Sequence, residues 1–249
     1  MLNNLGIVEA CFGTDAARSR AARRLGGKSV LEWTVRRATD ALRLDAVIVV
    51  TDDRAENRFV ADLVPLDVPV FFGRRPDVLG CLAAAIESYR CFGAVRIPCG
   101  SLFVDPLLLD RLVAASDARP EYDCVAYCCR DGRPAIFSPV AIFGEWFRAT
   151  ALHAAARRTA ARIDGESSTR YIYNRPKRFK VLLLPAPEQV DRGDLRLTTD
   201  SEEDWDHVVT LFDALGPDAL DWQRTADLLD HHPDLRRRMA AMNRVSAKG

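Results

Sequence analysis

The sequence lacks the cysteine spacings that mark metal and redox sites. Its seven cysteines form no C-x-x-C pair, and its four histidines lie far from them without zinc-finger spacing. The cysteine count is odd, and most of the cysteines stand in apolar runs, where a free thiol behaves as a small core residue. We therefore expect buried, reduced thiols.

Long apolar runs and an excess of charge of one sign are also missing. No stretch approaches the roughly 18–20 apolar residues that cross a membrane, and charged side chains interrupt any signal-peptide pattern near the N-terminus. The formal net charge is zero, which removes the general electrostatic attraction to nucleic acids and anionic membranes. These absences predict a cytoplasmic protein that binds neither nucleic acid nor membrane.

The patterns that are present alternate between strand and helix in the first half of the chain. Apolar runs predict strands over residues 6–12, 46–51, 68–72 and 94–97. Stretches that favour a helix follow these runs. Such alternation indicates a three-layer α/β fold with a mostly parallel sheet, in which ligands bind at the carboxyl ends of the strands.

The second half of the chain is less regular. We predict strands over residues 122–129, 135–143, 171–173, 179–184 and 195–199, and helices over residues 145–163, 202–215, 222–230 and 233–244. No internal repeat or low-complexity linker divides the chain. The simplest organisation is one α/β domain over residues 1–220 and a helical C-terminal appendage over residues 221–249.

The opening segment joins a predicted strand to a basic loop over residues 13–25, which Gly26, Gly27 and Lys28 close before the next helix. A strand–loop–helix unit of this kind offers backbone N–H groups and positive charge to a phosphate. A solvated, partly helical row of arginines would give the same composition. Both interpretations stay open at this point.

Seven segments in order carry a family resemblance. They are IVEACFGTDAARSRAARRLGGKSVLEWTVRRA, VIVVTDD, VPVFFGRRPDVLG, AVRIPCGSLFVDPLLLDRLV, YIYNRPKRFKV, DLRLTTDSEEDWDHVVTLFDAL and TADLLDHHPDLRRRMAAMN. Together they resemble the cytidylyltransferases of the spore-coat polysaccharide protein F type, which are relatives of the acylneuraminate cytidylyltransferases. The resemblance covers nearly the whole chain.

This resemblance implies a nucleotide-diphospho-sugar transferase fold with a mostly parallel, mixed sheet. It also implies a reaction in which a CMP group passes from CTP to a sugar or sugar acid, with Mg²⁺, for surface polysaccharide biosynthesis. The partners it implies are CTP, a sugar-acid-like substrate, and either a second copy of the chain or an active paralogue.

The resemblance also assigns the candidate site residues. The nucleotide-binding positions are Ala10, Gly13, Arg18, Arg20, Lys28 and Asp77. Arg20 replaces the lysine of the family and is the candidate catalytic residue, although arginine and lysine are not interchangeable at a tight phosphate contact. Asp200 matches a carboxylate that binds the metal in the family. The alternative for Asp200 is a helix N-cap, since Glu202 and Glu203 follow it.

Several family positions carry other residues in this chain. Cys11, Ala16 and Cys81 stand where arginines are expected, Gly100 stands at a magnesium-binding aspartate, and Ser167 stands at a histidine. The catalytic signature is therefore eroded. Two hypotheses follow: an active cytidylyltransferase, and an inactive relative that serves as a nucleotide-binding, sugar-binding or scaffold subunit.

Two further groups of acidic residues are assigned to structure and not to chemistry. Asp52 and Asp53 follow a predicted strand, where a turn or a helix cap is the expected role. Asp105 precedes Pro106, which suits the first turn of a helix, so Asp105 matches a cap position.

Overall fold

The computed structural model describes residues 1–74, 77–159 and 169–246. The strands are β1 (Leu2–Glu9), β2 (Arg24–Leu25), β3 (Lys28–Ser29), β4 (Ala46–Asp52), β5 (Val70–Gly73), β6 (Cys91–Pro98), β7 (Cys124–Cys128), β8 (Glu145–Arg148) and β9 (Val181–Pro185). The helices are α1 (Asp15–Ala22), α2 (Val30–Thr39), α3 (Val60–Leu63), α4 (Val78–Tyr89), α5 (Pro106–Ala118), α6 (Ala149–Thr159), α7 (Arg170–Tyr173), α8 (Glu202–Leu215), α9 (Trp222–Asp230) and α10 (Pro233–Ser246).

Seven of these strands form one sheet in the order β5-β4-β1-β6-β8-β7-β9, and β2 and β3 form a separate hairpin. Strand β1 lies at the centre, parallel to β4 and β6. Strand β8 runs antiparallel between β6 and β7, and β9 is parallel to β7. Helices α2 and α5 cover one face, and α4 and α6 cover the other. The predicted mostly parallel, mixed α/β sheet is confirmed.

Helix caps explain where several helices begin. The Asp77 carboxylate accepts a hydrogen bond from the Gly80 N–H at 2.7 Å and caps α4. The Asp105 carboxylate accepts from the N–H groups of Leu107 and Leu108 and caps α5. Each cap satisfies backbone donors that have no partner inside the helix. The capping role predicted for Asp105 is confirmed.

The basic loop predicted over residues 13–25 is instead occupied largely by helix α1. Thr14 caps this helix, because its hydroxyl accepts a hydrogen bond from the Ala17 N–H at 3.2 Å. Asp15 lies in the first turn, where a negative charge stabilises a helix, and the alanines that follow favour helix. The interpretation as a partly helical row of arginines therefore describes the local structure.

Three predictions in the second half of the chain are wrong. Residues 135–143 contain a 3₁₀ turn, Ala135–Phe137, and not a strand. Residues 171–173 lie in the short helix α7. Residues 195–199 join no sheet within the described part of the chain, although the Leu197 N–H donates to the Pro139 carbonyl at 2.8 Å.

The helix predicted over residues 145–163 begins later than expected. Strand β8 takes the first four residues, and Trp146 and Phe147 within it are buried. Pairing with β6 on one side and β7 on the other outweighs the helical pattern, because aromatic side chains pack well on a buried sheet. Residues 160–163, like Ser167, lie outside the described part of the chain.

The two C-terminal helices pack on the same core as α2 and α5. Leu229 of α9 and Leu235 and Met239 of α10 belong to that buried cluster. The backbone N–H of Trp222, at the start of α9, donates a hydrogen bond to the second carboxylate oxygen of Asp105 at 3.1 Å. Among the described residues, no helix is long and apolar enough to cross a membrane.

Asp105 is expected to contribute strongly to stability, because one buried carboxylate caps α5 and also holds α9. Asp105→Ala removes the cap and leaves the buried Trp222 N–H without an acceptor, so we expect the free energy of unfolding to fall by about 3 kcal/mol. Urea unfolding measures this change, with exposed Asp218→Ala as the control. Equal stability of the two variants would contradict the assignment.

His207 lies on α8 and is only 4% exposed. Its Nδ1 atom has no hydrogen-bond partner among the described residues. Burial lowers the pKa of His207 from its ordinary value of 6.5, Arg238 on α10 and Arg196 act in the same direction, and Asp204 and Asp206 oppose them. The folded protein therefore holds this imidazole neutral.

This lowered pKa makes stability depend on pH. The unfolded chain binds the proton more readily than the folded chain. The contribution of neutral His207 to stability is therefore fully present above pH 6.5, and it is lost as the pH falls through the lower pKa of the folded protein. We expect His207→Phe to reduce the slope of stability against pH between about pH 7 and 5. Urea unfolding across this range tests it, with exposed His231→Gln as control; an unchanged slope in His207→Phe would contradict the expectation.

Candidate functional site

A cavity of about 340 Å³ opens at the carboxyl ends of β1 and β6. Helix α1 forms one wall, the turn over residues 98–101 forms another, and residues 135–143 and 198–200 complete it. We call this space the first cavity. Its position is the one at which ligands bind in open α/β sheets.

A second cavity of about 490 Å³ adjoins the first. It lies between residues 129–140, residues 186–196 and Asn243 of α10. Both cavities are lined by Phe137, Ser138, Phe143, Thr198 and Asp200. The site therefore has two adjoining compartments, and Asp200 borders both.

A buried ionic network forms the floor of the first cavity. Arg96 donates to Glu9 through Nε at 2.6 Å and to Glu145 through Nη1 at 2.5 Å, and its Nη2 also contacts Glu9. The Tyr173 hydroxyl donates to the other Glu145 oxygen at 2.6 Å. Burial opposes the charge on Arg96, but attraction to Glu9 and Glu145 outweighs it and raises the pKa of Arg96. The guanidinium is therefore permanently charged and held on two sides.

Arg20 on α1 faces the first cavity and also a shallow groove between α1 and α8. Among the described residues, no hydrogen bond or ion pair engages its side chain. The neighbouring arginines of α1 are engaged. Arg18 donates to Asp15 at 2.5 Å and to Asn57 at 3.3 Å, and the Arg23 guanidinium at the end of the helix pairs with Glu202 at 2.7 Å.

The other predicted nucleotide-binding residues lie away from the first cavity. The Ala10 N–H donates to the Val50 carbonyl at 2.8 Å, and its carbonyl accepts from the Thr51 hydroxyl. Lys28 places its Nζ 4.8 Å from the centre of the Trp33 ring. Gly13 is exposed, and Asp77 is the cap of α4. The structure thus brings Arg20 and Asp200 to one cavity, and does not bring Ala10, Gly13, Arg18, Lys28 and Asp77 there.

Asp200 is exposed and is not the cap of α8. Ser201 is the cap, in a reciprocal capping box with Asp204, so the alternative prediction for Asp200 is wrong. The Asp204 carboxylate accepts from the backbone N–H groups of Asp200 and Ser201 and pairs with Arg196 at 2.5 Å. The turn is therefore held by Asp204, and among the described residues no hydrogen bond engages the Asp200 carboxylate.

Gly100 lies beside the segment that carries Asp200. A Cβ atom added at Gly100 would lie 3.4 Å from the Thr199 hydroxyl, which is an ordinary contact. Within the described residues, no three histidine, cysteine or acidic side chains could hold a metal ion. The Asp200 carboxylate is one oxygen donor at this point, and a Mg²⁺ ion held there would need its other ligands from phosphate oxygens and water.

All seven cysteines are free, but they are not all buried as predicted. Cys81, Cys91 and Cys124 are buried, and Cys11, Cys99, Cys128 and Cys129 are partly exposed. Cys11 and Cys99 line the first cavity. A hydrogen bond to Cys81 and burial raise the pKa of Cys11, and burial raises the pKa of Cys99 to about 12. Neither thiol is therefore an activated nucleophile at neutral pH.

Sequence reasoning missed the network of Glu9, Arg96 and Glu145. The available signal was a charged residue inside each of three apolar segments, since a buried charge is found almost only in pairs. Which charges pair depends on the order of the strands, which the sequence pattern did not provide. The register places Arg96 opposite Glu145, and β1 lies on the other side of β6.

Comparison with known proteins agrees with this fold. Residues 12–178 match the model of the MobA-like NTP transferase domain, so the chain belongs to this nucleotidyltransferase family. It is 28% identical over 239 residues to the spore coat polysaccharide biosynthesis protein SpsF of Bacillus subtilis, an alignment that covers 92% of this chain and 95% of SpsF.

Two solved structures share the fold. A cytidylyltransferase from Leptospira borgpetersenii superposes with a TM-score of 0.79 at 17% identity, over 94% of this chain and 97% of that chain. A CMP:2-keto-3-deoxy-manno-octonic acid synthetase complexed with CTP superposes with a TM-score of 0.60 at 10% identity, over 85% of this chain and 99% of that one. The predicted resemblance to the cytidylyltransferases is confirmed.

Gly100→Asp should strengthen metal binding at this site. The new carboxylate would stand beside the Asp200 segment without a clash, and metal affinity rises with the number of charged ligands. With CTP present, we expect Mn²⁺ to bind about tenfold more tightly, as measured by calorimetry. Gln223→Asp, an exposed substitution on α9 at a residue that lines neither cavity, is the control. No gain in Gly100→Asp, or an equal gain in both variants, would contradict the placement.

Proposed function

We propose that the protein transfers a cytidylyl group from CTP to a sugar or sugar acid during surface polysaccharide biosynthesis. The observation that carries this proposal is that Asp200 borders two adjoining cavities, the first of which Arg20 faces. A transferase must hold two ligands in contact, and adjoining compartments allow that arrangement. Family membership supports the nucleotidyl transfer, and the similarity to SpsF supports the pathway.

Arg20 would neutralise the phosphates of the nucleotide in the first cavity. Its guanidinium carries no carboxylate partner among the described residues, so a phosphate could take its donors without breaking an ion pair. Helix α1 holds Arg20 over the cavity, because Arg18 ties one part of the helix to Asn57 and Arg23 ties its end to Glu202. These contacts fix the backbone of Arg20, and its unengaged guanidinium can turn onto a phosphate.

Asp200 would hold Mg²⁺ together with phosphate oxygens of the substrate. When bound, the ion supplies positive charge to the phosphates during transfer. The chain contributes the position of the carboxylate, because the Asp204 hydrogen bonds fix the backbone of Asp200 and Ser201. The acceptor would lie beside Asp200, where the two cavities adjoin.

A second candidate function is a subunit that binds the nucleotide or the sugar without catalysis. The observation that favours it is Gly100, which offers no carboxylate beside Thr199 and Asp200. A single protein carboxylate holds a metal less firmly than two. In this case the chain would act beside an active paralogue.

Pyrophosphate release distinguishes the two functions. We expect the wild-type protein to release pyrophosphate from CTP with Mg²⁺ and a panel of sugars and sugar acids. Asp200→Asn should reduce the rate about 100-fold, because the amide cannot supply the charge that holds the metal. Asp213→Asn, an exposed substitution on α8, should leave the rate unchanged.

Each other outcome assigns a different function. If CTP raises the melting temperature at millimolar concentration but no acceptor releases pyrophosphate, the chain is a binding subunit. If CTP neither reacts nor raises the melting temperature, a cytidylyltransferase site is ruled out. An active Asp200→Asn variant would show that Asp200 does not bind the metal.

A further inference from the structure

We propose that the acceptor is a sugar that bears hydroxyl or amino groups and no carboxylate, and that Glu9 selects it. This inference rests on the proposed function, because it concerns the second substrate of that site. It follows from the charged side chains around the two cavities, most of which are already paired.

The floor of the first cavity carries more negative than positive charge. Arg96 is its one cation, and that cation contacts two carboxylates, Glu9 and Glu145. One oxygen of Glu9 takes all of the contacts with Arg96. The other Glu9 oxygen has no hydrogen-bond partner among the described residues, and Glu9 lines the cavity with 12% of its side chain exposed. The floor therefore presents a carboxylate oxygen that can accept a hydrogen bond.

Arg20 is the cation that remains for an anionic ligand in the first cavity. Arg20 and Arg96 are the basic residues that line it, and Arg96 is engaged by Glu9 and Glu145. In the proposed function, the nucleotide phosphates take Arg20. A triphosphate also carries more negative charge than one Mg²⁺ ion neutralises. A carboxylate on the acceptor would then face further negative charge and no free cation.

The second cavity offers no free cation either among its described lining residues. Four arginines line it, and each already pairs with an aspartate. The pairs are Arg130 with Asp191, Arg133 with Asp131, Arg192 with Asp194 and Asp230, and Arg196 with Asp204. Asp131, Asp191 and Asp200 also line this space. A carboxylate here would have to share an arginine with an existing aspartate partner, and the like charge of that aspartate would oppose it.

Hydroxyl and amino groups suit the same surroundings. They can donate hydrogen bonds, and the acceptors in the first cavity that have no partner among the described residues include the second oxygen of Glu9 and the carboxylate of Asp200. Specificity of this kind combines an attractive contact with repulsion of the wrong ligand. Because Arg96 holds Glu9 in place, the second carboxylate oxygen of Glu9 needs no rearrangement to accept a hydrogen bond from the sugar.

Binding to matched sugars tests this inference. Hexoses, hexosamines and hexuronic acids of the same configuration would be titrated into the protein with CMP present, with N-acetylneuraminic acid as a longer sugar acid. We expect the best hexose or hexosamine to bind at least about tenfold more tightly than any sugar acid. Glu9→Gln should reduce this preference about tenfold, and the exposed control Glu203→Gln should leave it unchanged.

Tighter binding of a sugar acid, or no binding of any hexose or hexosamine, would overturn the inference. An unchanged preference in Glu9→Gln would show that Glu9 does not select the sugar. If that variant does not fold, the order of sugar affinities of the wild-type protein tests the substrate class by itself. Pyrophosphate release separates this result from the proposed function. Sugars that bind in the expected order without releasing pyrophosphate from CTP would support the selection and contradict the transfer.

Discussion

The candidate site depends on one buried cation held between two carboxylates. Arg96 stands on β6, and its partners Glu9 and Glu145 stand on β1 and β8, the strands on either side of it. Removing one partner from such a network leaves an uncompensated buried charge, which costs about 3–5 kcal/mol. The network therefore ties the parallel half of the sheet to the antiparallel strand β8 and fixes the floor of the first cavity.

The walls of that cavity are held by separate contacts. Helix α1 is joined to α8 where Arg23 pairs with Glu202 and lies over the ring of Trp205, with its guanidinium carbon 4.2 Å from the ring centre. The turn before α8 is organised around Asp204. Burial opposes the charge of this carboxylate, but hydrogen bonds from Arg196 and Thr198 outweigh burial and lower its pKa. These contacts hold the two elements that carry Arg20 and Asp200, both of which line the first cavity.

Local signals predicted much of this fold. The bounds of α8 and α9 match the predicted helices, because each has a cap residue just before it and amphipathic spacing within it. Arg20 and Asp200 were predicted by family resemblance, and both reach the first cavity. Strand β8 was missed because its partners, β6 and β7, are distant in the sequence. The Glu9–Arg96–Glu145 network was missed for the same reason, and so was the engagement of Arg18 by Asn57.

The central claim is that the first cavity binds a nucleotide through Arg20. Calorimetric titration of CTP with Mg²⁺ into the wild-type protein and Arg20→Ala tests it most directly, with the exposed Arg237→Ala variant of α10 as control. We expect the wild-type protein and Arg237→Ala to bind CTP alike, and Arg20→Ala to bind at least about tenfold more weakly, since the charge-assisted contact is lost. Equal binding by Arg20→Ala, or no binding by the wild-type protein, would contradict the claim.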